Sequence, residues 1–104
     1  MSALVETPSD MHRIARHVRA HADDIRARAT LLAARAEQTH WYSPAAHAFR
    51  DDVATIVRQM HSAAGRLDAA AHALDRHAAR VASELSMVSA PVHAAERVAS
   101  WLGL

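Results

Sequence analysis

Four residues near the middle, Trp41-Tyr42-Ser43-Pro44, constrain this chain more than any others. Ser43 suits a helix N-cap, because its hydroxyl can accept from a backbone N–H that the first turn leaves unpaired. Pro44 suits the first helical position, where φ is already near helical and the missing N–H costs nothing. The residue before a proline is pushed out of the α region, so Ser43 also ends whatever helix comes before it. Long stretches of helical periodicity lie on both sides. Two helices joined by so few residues run antiparallel, and the stretch is the corner of a hairpin.

The rest of the composition agrees with helices. Apolar residues make up 51% of the 104 and aromatics only 4%, so alanine carries much of the apolar count. Two glycines and three prolines leave little material for strands or loops. The length allows one small domain. With no cysteine there is no disulfide, thiolate metal site or cysteine nucleophile. All the basic residues are arginine, and a net charge of +1 does not argue for nucleic acid. Arg13, Arg16, Arg19, Arg26, Arg28 and Arg35 look scattered around the first helix among acids. Residues 1–10 hold two acids and no long apolar run, unlike a signal peptide, and no stretch approaches the roughly 20 apolar residues of a membrane span.

Taken in order, residues 1–8 read as a flexible arm and 9–39 as the first helix, capped by Ser9 or Asp10 after Pro8. Met11, Ala15, Val18, Ala22, Ile25, Ala29, Leu32 and Ala36 follow a 4-3 spacing, a heptad seam in which alanines admit a close neighbour. Asp24 and Arg28 form a favourable i,i+4 pair. After a turn at 40–43, residues 44–88 read as a second helix. Its seam is Phe49, Val53, Ile56, Met60, Ala63, Leu67, Ala70, Leu74, His77, Val81, Glu84 and Val88, with Val57, Ala64, Ala71, Ala78 and Leu85 in a third row. Three apolar positions per heptad is a bundle stripe, wider than one neighbour can bury. At about 65 Å against about 45 Å, the second helix overhangs the first. Ser89-Ala90-Pro91 is expected to break it, leaving a short final helix over 91–102 that folds back in part onto the overhang.

The expected fold is therefore all-α: an antiparallel two-helix hairpin with a short C-terminal helix, pairing into a four-helix bundle dimer. The expected partner interface comprises Val18, Ile25, Leu32, Phe49, Val53, Ile56, Val57, Met60, Leu67, Leu74, Val81 and Leu85. His77 and Glu84 fall on the seam. If His77 packs neutral, acid below about pH 6 would loosen the dimer; if Glu84 of the other chain pairs with it, acid would tighten it. His17 with His21, and His72 with His77, offer two ligands each, too few for zinc without cysteine. No metal, cofactor or catalytic set is expected, since a hairpin offers no concave pocket.

The stretch Trp41-Tyr42-Ser43-Pro44-Ala45-Ala46-His47-Ala48-Phe49-Arg50 resembles the turn and second-helix start of the WXG100 (ESAT-6-like) family of type VII secretion substrates. Ser43 stands where that family has glycine. The Tyr-x-x-x-Asp/Glu export signal that follows the second helix in many actinobacterial members is absent; four residues after the only tyrosine, Tyr42, comes Ala46. The resemblance implies pairing as a homodimer or as a heterodimer with another WXG100-like protein: either the signal-less half of a heterodimer, exported with a partner that carries the signal, or equally a family-shaped protein that is not exported. As the signal-less half, it would fold in the cytoplasm and be exported to the envelope or medium without a cleaved signal peptide. It also implies that Trp41, Ser43 and Pro44 help form a surface for the export ATPase. A cytoplasmic adaptor or chaperone for a larger type VII effector is the alternative. Neither reading involves nucleic acid or stable membrane insertion.

Overall fold

A computed structural model of the chain describes residues 7–38 and 42–103, and of residues 89–92 the helical backbone only. Two helices carry the fold, α1 (Pro8–Glu37) and α2 (Pro44–Trp101), packed along each other as an antiparallel hairpin. There is no strand among the described residues.

Both helices begin with the same device. Thr7 caps α1, its Oγ1 accepting from Asp10 N–H at 3.0 Å, and Ser43 caps α2, its Oγ accepting from Ala46 N–H at 3.1 Å. A proline follows each cap, at the first turn where no backbone donor is lost. The cap is thus Thr7, two residues before the expected Ser9 and three before Asp10: Thr7-Pro8 repeats the logic of Ser43-Pro44. Asp10 instead lies in the first turn, suited to the positive helix end, and pairs with Arg13 at 2.9 Å. At the far end α2 stops as Gly103 takes a left-handed φ of 78°, donating to Ser100 C=O.

The packing is built on alanine. Ala15, Ala22 and Ala29 in α1 and Ala64, Ala71 and Ala78 in α2 are 0% exposed, joined by Met11, Ala36, Ala46 and Val53. Among the described residues no large side chain is fully buried. Ala36 and Val53 line one groove near the corner, and a register with those two level sets Met11 level with Ala78, Ala15 with Leu74, Val18 with Ala71, Ala22 with Leu67 and Ile25 with Ala64. A small residue faces a large one at each of these levels. The alanines vanish into the seam while Val18, Ile25, Leu67 and Leu74 opposite them stay half-buried, because helices that approach over alanine push longer side chains toward the edges.

The expected break and fold-back are corrected. α2 runs through Ser89-Ala90-Pro91 to Trp101, bent rather than ended. A proline inside a helix removes one hydrogen bond and displaces one carbonyl, which kinks a helix that strong formers flank, as at His93-Ala94-Ala95-Glu96-Arg97. The final segment does not return to α2: Leu85, Met87, Val88, Val98, Trp101 and Leu102 are all exposed. With 58 residues α2 is about 87 Å long, and it sets the 89 Å length of the molecule.

Two substitutions of opposite sign follow. Gly65 lies mid-helix with open space where a Cβ would stand, so Gly65→Ala should raise stability by about 1 kcal/mol. Ala22→Leu forces a larger side chain into a fully closed seam and should lower it by about 1–3 kcal/mol. Urea denaturation followed by circular dichroism reads both. A neutral Ala22→Leu would mean the helices are not in close contact there.

Candidate interaction surface

Helical periodicity divides the hairpin into two unlike long edges. His12, Arg19 and Arg26 follow one another at heptad spacing on one flank of the α1 seam. Asp68 and Asp75 do the same on the facing flank of α2. They meet. His12 Nδ1 donates to Asp75 Oδ1 at 2.7 Å, Arg19 Nη2 lies 2.5 Å from Asp75 Oδ2, and Arg26 Nη2 donates to Asp68 Oδ2. A carboxylate only accepts, so the His12 contact requires the proton on Nδ1. Arg26 also reaches Asp23 at 3.2 Å, and its hydrogen bond to Asp68 holds the guanidinium more firmly protonated. The hydrogen bond from His12, then that from Arg19, holds the Asp75 carboxyl below the usual carboxylate range. Toward the corner the row ends in Ala33 and Ala54. There an open groove of about 270 Å³ lies over Ala36, Val53 and Val57, rimmed by Glu37, Arg50 and Arg58.

The opposite edge is apolar. Val18, Ile25 and Leu32 of α1 stand beside Met60, Leu67, Leu74 and Val81 of α2, all half-buried. Further round α2 come Phe49, 49% exposed, Ile56, 45% exposed, half-buried Ala63 and exposed Ala70. Beyond the end of α1 the stripe continues onto the exposed overhang at Leu85, Val88 and Leu102. Of the remaining expected interface residues, Val53 is buried inside the hairpin and Val57 is half-buried. The hairpin therefore leaves one apolar edge without a cover. Among the described residues no helix is long and apolar enough to cross a membrane, so the apolarity is that of an edge and not of a span.

Other expected sites fare differently. Trp41 lies outside the described residues, while Ser43 and Pro44 form the α2 cap and first turn. His77 and Glu84 are exposed, because α1 packs against the row through Ala71 and Ala78, one row round from theirs. Within the hairpin α1 does not cover them, so the pH switch they suggested does not act between α1 and α2. His17, His21 and His72 are exposed, Asp24 is engaged by Arg28 at 2.9 Å, and among the described residues no three metal-ligating side chains gather. Sequence reading missed the ion-pair row, although its signal was present: cations at 12, 19 and 26 and acids at 68 and 75 are each seven apart. Arg19 and Arg26 were placed in a general scatter of arginines because only one helix was considered at a time.

No family model, curated protein or solved structure matches this chain.

Asp75 gives a pH test with a definite sign. Its carboxyl titrates lower when folded, so its stabilisation is present above the ordinary range near pH 4 and is lost as pH falls below it. Asp75→Asn should melt at a lower temperature than the parent at pH 7, and the gap should close under acid. An equal gap at pH 7 and pH 2.5 would show that packing, not charge, holds the edge.

Proposed function

We propose that the chain is a non-enzymatic, WXG100-like helical-hairpin protein, a substrate or co-secreted partner of a type VII secretion system that acts by pairing with another helical hairpin. The uncovered apolar edge carries this reading. Ion pairs close one side of the hairpin, while Val18, Ile25, Leu32, Phe49, Ile56, Met60, Leu67 and Leu74 keep much of their surface in water on the other. A contiguous apolar strip of this kind on a small protein marks a protein–protein contact. Its straight, heptad-spaced form suits two more helices at a shallow crossing angle, not a compact ligand.

The secretion part of the proposal rests on the corner sequence. Trp41-Tyr42-Ser43-Pro44 followed by Phe49-Arg50 supports a WXG100-like turn. The pair, not the single chain, is then what the export ATPase engages, and pairing in the cytoplasm comes before export.

Leu67→Asp separates these steps. An ionised carboxylate mid-edge opposes burial against any partner, so the variant should lose association and much of its helicity. In the native host, the tagged parent should appear in the culture filtrate only when the export ATPase is present, and Leu67→Asp should stay inside. Release unaffected by deletion of the ATPase would sink the secretion reading. Full association by Leu67→Asp would sink the pairing surface.

A further inference from the structure

Resting on the pairing proposed above, we infer that the partner is a second copy of this chain, docked antiparallel on α2 about a two-fold axis between Gln59 and Met60. The outer row of α2 reads Phe49, Ile56, Ala63, Ala70 at heptad spacing: two large residues, then two small. Reversing a second α2 about that axis sets Phe49 level with Ala70 of the second copy and Ile56 level with Ala63 of the second copy. Symmetry repeats both matches. This is the large-against-small arrangement by which α1 and α2 themselves pack, continued one row round the helix.

Charge agrees at the same register. The next row outward holds exposed Asp52, Gln59 and Arg66. About the same axis Asp52 stands level with Arg66 of the second copy, twice, and the Gln59 amides meet at the centre. Arg66 makes one long contact in the hairpin, to Ser62 Oγ at 3.4 Å, which leaves its guanidinium reach for an acid opposite. The inner flank sets half-buried Met60 against itself. On α1, the cation nearest the axis is Arg28, already neutralised by Asp24 at 2.9 Å, so no bare like charges are brought together there. A partner of unrelated sequence would have no reason to require a row that complements its own reversal.

The axis lies nearer the corner than the middle of α2, so the copies overlap only from residue 44 to about 75. Each overhang then projects past the other's corner. Overlap of about 48 Å between two molecules 89 Å long gives a dimer about 130 Å in length. Hairpins laid fully side by side would stay close to 89 Å.

Light scattering with small-angle X-ray scattering on the full chain tests this, together with a charge swap. Twice the chain mass and a longest dimension near 130 Å are expected. Asp52→Arg and Arg66→Asp should each weaken the dimer roughly tenfold, since each places like charges opposite one another twice. The double variant should restore affinity to within about threefold of the parent. Both sites are exposed, so circular dichroism should show an unchanged fold. A helical monomer, a dimer near 90 Å long, or a double variant no better than the singles would each overturn the second copy as partner. A helical monomer that binds a different hairpin, and loses it with Leu67→Asp, would do so while leaving the proposed function standing.

Discussion

The close approach of α1 and α2 over alanine is the constraint on which the rest depends. A helix pair that buries leucine against leucine stands apart and closes its large side chains between the axes. Here fully buried Ala15, Ala22, Ala29, Ala64, Ala71 and Ala78 draw the axes together, and the large residue at each level is displaced toward an edge. A fully buried aliphatic side chain is worth roughly 1.5–3 kcal/mol, so Leu67, Leu74 and Ile25, left half in water, realise only part of it. The hairpin is tightly matched and incompletely buried for the same reason.

The two edges resolve that incompleteness in opposite ways. On one, the displaced positions are His12, Arg19, Arg26, Asp68 and Asp75, whose charged ends remain partly in water while their stems cover the seam. Partly exposed pairs of this kind add modest stability. Their larger effect is on register: sliding α2 by one heptad would set Arg26 opposite His61 in one direction and Asp68 opposite Ala33 in the other, so either slide loses the Arg26–Asp68 pair. An alanine seam alone specifies register poorly, since every alanine fits every other. The ion pairs supply the distinction, and they occupy the side that needs no partner.

The fold was legible in the sequence where one helix sufficed to read it. The Ser43-Pro44 corner, the heptads of α1 and the excess width of the α2 stripe all follow from spacing within a segment. Thr7, Ser9 and Asp10 all cap well, and local chemistry does not rank three such near neighbours. The cost of an interior proline, read alone, makes Pro91 a stop; its helix-forming flanks turn it into a bend. His77 and Glu84 were placed on the seam, and Arg19 and Arg26 off any edge, for a shared reason. A stripe three rows wide does not say which two rows the first neighbour takes; that depends on where the other helix puts its acids and bases. Rows become faces only in pairs.

That ambiguity also explains why α2 is where association should be read. α1 shows a narrow apolar stripe with His21 and Arg28 on its outer margin, both exposed, so it has little to offer beyond the hairpin. α2 has a row to spare. After Met60, Leu67 and Leu74 lean on α1, Phe49, Ile56, Ala63 and Ala70 still face outward at the same spacing, and the stripe goes on to Leu102 with no α1 beside it. The outward row divides into large and small halves, whereas the overhang holds large residues spread along its length. A row divided in this way is complementary to its own reversal. The overhang is not, so it fits the role of a surface left open once the hairpins have paired.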